Sequence, residues 1–439
     1  MTQSTTRTRW WRMIALVAVL SLFTAACAQD DDDEAGGGGG GDAKDTLTIS
    51  GPETGSEADG FTAAFDPFTE ETGIKIEYSG TRDFETQIRV AAEGGDLPDL
   101  AVIPQPGLAK DLADKITPVP KSVLDKYKDQ YDPYLWEQVT TDDDDILGVP
   151  NKGDVKSLVW YSPKVFKEKG YEVPETWDAM LKLADKMKAD GVTPWCVGIE
   201  SGEATGWPLT DWFEDIMLRM HGPEVYDQWV NHEIPFNDPK VVEVGKEIEK
   251  IWFGQGNVLN GRQSIASTGF KQAGLPILEG KCGMHRMANF YAADYKDAGA
   301  KFGEDGDVNV FYLPTMSDKF GKVTLSGGTY IVAFNDNEAT MKAIEYLASP
   351  DYANARIKAN KGGFLSPNQK HDTSLYSDDL DRQLAEILTT ADPLRFDGSD
   401  LMPSEVGAGT FWKEGTNWVL GSGDLKKFLD NVEASWPDS

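Results

Sequence analysis

Arg82 and Asp83 stand side by side after the β-branched run Ile74–Tyr78, in a segment that reads as a loop at the end of a strand. A guanidinium beside a carboxylate suits a vicinal diol, donating to one hydroxyl and accepting from the next. A surface ion pair is the plainer alternative. Trp207 lies between Gly206 and Pro208 on a loop that leads into a helix-spaced run. A tryptophan held that way offers its face to the apolar C–H side of a pyranose, as Trp212 further along does less openly. Asp211, Glu214 and Asp215 fall in the first turns of that helix, where acids suit the dipole, and Asp211 is kept as a polar candidate beside Trp207. Arg286 and Asn289 follow closely on Cys282, which would pin them if it were bridged to Cys196, and the neighbouring His285 is expected to be structural. Gly328, after Gly327, lets backbone approach a ligand closely. Arg395, with Phe396 and Asp397, and the pair Phe411 and Trp412 are weaker candidates.

The chain has 439 residues, 73 acids against 42 bases and a formal charge of −31. Such a field repels nucleic acid and anionic lipid, so neither is expected as a partner. Arg7, Arg9 and Arg12 precede an apolar run, Ile14 to Phe23, too short to span a bilayer, and Ala25-Ala26-Cys27 closes it. That is an export signal over residues 1–26, after which the charge is about −34. Residues 27–44, with Asp30 to Glu34 and Gly36 to Gly41, form an acidic, glycine-rich tether that cannot build a core. The rest exceeds the size at which single cores stop growing, so two lobes are expected. Apart from Cys27 the only cysteines are Cys196 and Cys282. In an exported chain the pair reads as a disulfide, with two buried thiols as the alternative. No HExxH, CxxC or EF-hand spacing supports a metal, and no cofactor is expected.

Short β-branched runs alternate with helical patterns, the signature of parallel α/β units. Strands are expected at 47–50, 74–78 and 99–103, with helices at 60–72 and 84–93 between them. Asp99 then sits at a strand entrance as a turn acid. A Trp-rich middle follows, with helices at 176–190, capped by Thr176, and at 211–221 and 241–252. Strand character returns at 327–334, followed by a helix over 337–347 and further helices from about Lys370.

In this order, Ser79-Gly80-Thr81-Arg82-Asp83-Phe84, Asp96-Leu97-Pro98-Asp99, Gly148-Val149-Pro150, Leu158-Val159-Trp160-Tyr161-Ser162-Pro163, Val173-Pro174-Glu175-Thr176-Trp177, Gly206-Trp207-Pro208, Gly327-Gly328 and Ser349-Pro350 resemble the carbohydrate-binding solute receptors of ABC importers, the group that includes maltose-binding protein. Within that group the likeness is to α-glucoside receptors. The resemblance implies a two-lobe periplasmic-binding-protein fold of the type II-like, maltose-binding-protein kind, with a hinge and an interlobe cleft. One lobe would hold residues 45–153 and 324–370, the other 154–323 and 371–439. It places Trp160 at a lobe crossing, where its ring could face the cleft, and Glu53 at a position that often contacts sugar. Leu22 to Cys27 resembles a bacterial lipobox, with Thr24 in place of the usual leucine, so Cys27 would carry the lipid. The implied protein is not an enzyme. It is a monomeric receptor, lipid-anchored outside the membrane, that delivers an oligosaccharide or α-glucoside such as maltose, trehalose or sucrose to ABC permease subunits. A glycoside hydrolase needs two carboxylates set across a cleft, and no motif selects such a pair.

Overall fold

The computed structural model describes residues 46–437 apart from Lys361. The export signal, Cys27 and the tether lie outside these residues. Ten strands form among the described residues: β1 (Thr46–Gly51), β2 (Lys75–Gly80), β3 (Leu100–Ile103), β4 (Gly148–Val155), β5 (Leu158–Tyr161), β6 (Thr193–Trp195), β7 (Cys282–Arg286), β8 (Asn309–Tyr312), β9 (Thr324–Ala333) and β10 (Leu394–Phe396).

The first sheet runs β10-β9-β3-β1-β2, with β4 also pairing with β9. β1 is parallel to β2 and β3, as expected of strands joined through helices, here Ser56–Ala63 with Asp66–Thr72, and then Phe84–Gly94. All four residues of β3 are buried, which suits an unbroken apolar run covered on both faces. Asp99 opens that strand as a structural acid, accepting from the Thr48 amide at 2.8 Å and from Asn335 at 3.0 Å. The second sheet runs β6-β7-β5-β8.

The single helix expected over 60–72 is two helices. Proline lacks the amide proton that a continuing helix requires and disfavours the helical conformation just before it. Pro67 therefore starts a new helix at Asp66. Elsewhere the end signals hold. Thr176 caps Trp177–Ala189, accepting from the Ala179 amide at 3.2 Å, and Asn337 caps Glu338–Leu347, accepting from Thr340 at 2.9 Å. β4 was not expected as a strand, because Pro150 and Gly153 interrupt it and a register shift falls between Pro150 and Lys152.

The two-lobe α/β architecture follows from where the apolar side chains collect. One core joins Leu47, Ile49, the β3 residues, Val149 and Ile331. A second joins Val159, Trp212, Ile248 and Leu325. A third, smaller one surrounds Trp160 with Val155, Tyr291 and Tyr295. β4 supplies Val149 to the first core and Val155 to the third, while β9 supplies Ile331 to the first and Leu325 to the second. These two antiparallel strands therefore run between the lobes. Cys196 and Cys282 form a disulfide with their Cα atoms 5.7 Å apart, tying the segment after β6 to the start of β7. No helix among the described residues is long and apolar enough to cross a membrane.

Candidate functional site

β4 carries three charged side chains into buried space at two-residue spacing: Lys152, Asp154 and, just past its end, Lys156. Side chains alternate along a strand, so all three leave on one face. That face meets a cleft of about 820 Å³ including its open mouth. Gly328 of β9 lies directly across from β4, and a Cβ there would collide with the Lys152 carbonyl, so the glycine lets the two crossing strands meet at the cleft.

On one side, the loop after β1 brings in Glu53, 2 % exposed, and the helix Ser56–Ala63 brings in Glu57. Lys152 sits among Glu53, Glu57 and Asp154 at 3.8, 3.5 and 3.7 Å, longer than charge-assisted hydrogen bonds. Burial alone would lower the pKa of this ammonium, but the three carboxylates outweigh it and hold it raised. Glu53 also accepts from Arg356 at 2.8 Å, and Glu57 also faces Arg82 at 3.5 Å and Lys271 at 3.7 Å. Burial pushes the Asp154 carboxyl up, with Lys152 and Lys156 opposing. Lys271 and Asp83 reach across the cleft: Lys271 donates to the Thr54 carbonyl at 3.3 Å, and Asp83 accepts from the Glu203 amide at 3.3 Å.

On the other side, Lys156 donates to Asp211 at 2.9 Å and to Asp397. Asp211, Glu214 and Asp397 have carboxylate oxygens within 4.8 Å of one another, a spacing that suits a cation, and the Lys156 ammonium contacts Asp211 and Asp397. Asp211 passes the chain of charge to Arg286 at 2.8 Å, Arg286 to Asp215 at 2.6 Å, and Asp215 to Arg219, whose guanidinium donates to the Leu313 carbonyl at 3.1 Å. Burial raises Asp211 to about 6 against the pull of Lys156 and Arg286. Glu214 and Asp400 are pushed well above the carboxylate range, by burial first and then by Asp397. Burial opposes the charge on Asp397 too, but Lys156, the Asp400 amide and the Ser399 hydroxyl outweigh it and hold it low.

Trp207 begins the helix Trp207–His221, and its ring meets Phe270 edge-on at 5.1 Å and Phe290 at 6.0 Å. With Trp412 these rings form the apolar wall of the cleft. Five buried side-chain atoms of cleft-lining residues have no hydrogen bond: Glu53 Oε1, Gln105 Oε1, Asp154 Oδ1, Arg82 Nη2 and Trp412 Nε1. Such atoms are costly to bury without a hydrogen-bond partner.

Of the residues singled out in the sequence, Glu53, Arg82, Trp207 and Gly328 line the cleft, with Asp83 at the cross-cleft contact. Asp397 and Trp412, named there in passing, line it as well, and so does Phe290. Others take different roles. Trp160 is fully buried in the third core, donating to the Met287 carbonyl at 2.8 Å beside Tyr295, so its ring is packing and not a platform. Asn289 is fully buried, accepting from the Val155 amide at 2.6 Å and donating to the Gly363 carbonyl at 2.7 Å. Arg286 and Asp211 lie in the ion chain behind the cleft floor. Arg395 is held by both carboxylate oxygens of Asp227, at 2.7 and 2.9 Å, and does not line the cleft. Trp212 packs against Trp195 and Trp252. His285, its ring against the Cys196 carbonyl, is held neutral by burial with its pKa at about 4. The sequence reading missed Glu57, Lys152, Asp154 and Lys156. The last three stand at alternate positions, but Asn151 and Gly153 beside them give the segment the look of a turn.

The model of the bacterial extracellular solute-binding protein family matches residues 54–354. The osmoprotective compounds-binding protein of Synechocystis is 39 % identical over 396 residues, 89 % of this chain and 92 % of that protein. The alpha-glucosides-binding periplasmic protein of Rhizobium meliloti is 38 % identical over 405 residues, 89 % and 87 % of the two chains. Among solved structures, a bacterial solute receptor with an exclusive preference for β-D-galactopyranose superposes with a TM-score of 0.76 at 18 % identity, covering 89 % of this chain and 97 % of that one. The maltose-bound receptor of T. maritima gives 0.68 at 15 % identity, covering 89 % and 98 %. Those two likenesses concern the fold. The family and the two relatives are receptors rather than enzymes. A cleft between two lobes, an aromatic wall facing unpaired polar atoms, and a family match across most of the chain agree: this protein belongs to the bacterial extracellular solute-binding protein family.

Proposed function

We propose that this chain is the substrate-binding component of an ABC sugar importer, closing two lobes on an α-glucoside or related glycoside and presenting it to the permease. One lobe comprises 45–153 and 324–370, the other 154–323 and 371–439. The observation that carries the reading is the pairing, within one cleft, of unpaired Glu53, Asp154, Gln105 and Arg82 atoms with the aromatic wall of Trp207, Phe270 and Phe290. Glycosides present both chemistries at once, hydroxyls on the rim of the ring and C–H groups on its face. Glu53 and Asp154 accept from ligand hydroxyls, while Arg82 and the loosely held Lys152 donate to them. The relatives that bind osmoprotective compounds and alpha-glucosides support the same class. The protein acts as a monomer outside the cell membrane. Cys27 carries a diacyl anchor, because one chain alone anchors only marginally, and residues 27–44 give the lobes reach.

The test is thermal unfolding of the protein with maltose, trehalose, sucrose, an oligopeptide and a divalent metal. A shift that grows with sugar occupancy, with no sugar consumed, is expected. No shift with any sugar, alongside a shift with peptide or metal, would overturn the reading. For the anchor, the expressed full-length chain is expected to partition into detergent and Cys27→Ser to release it; equal partitioning of both would remove the lipid.

A further inference from the structure

We propose that the cleft admits uncharged glycosides and rejects those bearing a carboxylate or phosphate, with Glu85, Asp397 and Asp400 forming the end that rejects them. This rests on the sugar-receptor reading above and narrows its ligand class.

The cleft is lined by six acids, Glu53, Glu57, Glu85, Asp154, Asp397 and Asp400, against three bases, Arg82, Lys152 and Lys156. Each base already faces a carboxylate. Lys156 is held by Asp211 and Asp397, Arg82 faces Glu57, and Lys152 faces three acids. At two helix starts beside the cleft an acid already takes the place where backbone would attract an anion. Glu57 occupies the first turn of Ser56–Ala63, and Asp397 accepts from the Asp400 amide at 3.0 Å at the start of Gly398–Leu401. The acids are also short of compensation. Burial pushes Glu85 up, and Asp400 well up with Asp397 adding to it, so these surroundings disfavour a further negative charge.

The unpaired atoms point the same way. Gln105 lines the cleft, is 4 % exposed and donates its amide to Glu85 at 3.1 Å, which leaves its buried Oε1 an acceptor without a hydrogen bond. Together with Glu53 Oε1 and Asp154 Oδ1 it asks for donors. A hydroxyl donates, whereas a carboxylate or phosphate dianion only accepts. An anion entering here would leave those acceptors unpaired and add like charge in a partly desolvated space, where it is poorly screened.

The experiment is calorimetric titration of the full chain with maltose, trehalose and sucrose, each beside its 6-phosphate and its uncharged 6-O-acetyl ester. The phosphate of whichever sugar binds is expected to be at least a hundredfold weaker than the parent, and the acetyl ester to lie much closer to the parent. In Glu85→Gln and Asp397→Asn, two independent variants, the ratio of phosphate to parent affinity is expected to narrow about tenfold. A phosphate bound within threefold of its parent overturns the inference and leaves the sugar reading standing. So does an acetyl ester rejected as strongly as the phosphate, since bulk then explains the loss. A ratio unchanged in both variants removes the assignment to these residues. Absence of binding by every sugar in the panel overturns the sugar reading and this inference with it.

Discussion

Lys152 and Lys156 lie four residues apart on and just past β4, are 9 % and 6 % exposed, and are both ringed by carboxylates, yet their surroundings differ in kind. Lys156 is hydrogen-bonded to two acids and continues through Asp211, Arg286, Asp215 and Arg219 into the protein interior. Lys152 has three acids at 3.5–3.8 Å. Two of them have cations of their own: Glu53 has Arg356, and Glu57 has Arg82 and Lys271. The first cluster is a brace whose buried side-chain atoms are hydrogen-bonded except Glu214 Oε2, and the second leaves Glu53, Asp154 and Arg82 atoms without a hydrogen bond. Charge alone therefore does not identify a binding residue, and the length of its contacts is the better guide.

If that contrast is right, Arg286→Ala should give the largest effect, because it leaves Asp211 and Asp215 buried with one fewer cation. A loss of about 3–5 kcal/mol in denaturant unfolding is expected for breaking such a pair. A loss within 1 kcal/mol would remove the brace. Lys152→Met should do the opposite, weakening sugar binding by about tenfold or more while costing under about 2 kcal/mol of stability, since Glu53 and Glu57 keep their other partners and Asp154 can take a proton. Equal stability losses in the two variants would erase the distinction between the clusters. Trp207→Ala is expected to weaken sugar binding by roughly fivefold to tenfold through lost ring contact, read by the same titration. Unchanged affinity would leave Phe270, Phe290 and Trp412 as the platform.

The smallest effect concerns Asp294, which packs near Lys271, Glu57 and Arg82 and is raised to about 7 by burial, with Lys271 opposing. A carboxyl whose folded pKa lies above its unfolded one contributes stability that is full below the unfolded value and is lost as pH rises through the folded one. Stability should therefore carry a component that declines between about pH 4 and pH 7, and Asp294→Asn should flatten that decline. Superimposable pH profiles for the two proteins would show that this carboxyl does not titrate differently on folding.

Much of the first lobe was legible because its signals are local. β1 to β3 follow β-branched runs, and Asn337 caps a helix where residue type alone indicates it, as Thr176 does in the other lobe. β4 was not, since Asn151-Lys152-Gly153-Asp154 has the composition of a turn and becomes a strand only by pairing with β9. In the site, Trp207 and Arg82 were recognisable from loop context, and Glu53 from family likeness. Trp160, Asn289 and Arg286 were misplaced for one reason: an aromatic, an amide or a guanidinium suits a ligand and a core equally, and the chain does not show which face it takes.

By itself the sequence determined the alternation of strands and helices, the need for more than one core and the likeness to solute receptors, because each depends on residue type, short spacing or order along the chain. Which charges brace the molecule and which face the ligand was decided only by the tertiary structure. Lys156 meets Asp397 across 241 residues of chain, and Arg356 meets Glu53 across 303. A difference of less than 1 Å between the Lys156–Asp211 contact at 2.9 Å and those of Lys152 at 3.5–3.8 Å separates a direct hydrogen bond from a looser ion pair. Separations that fine arise only when β4 and β9 are packed together between two finished lobes.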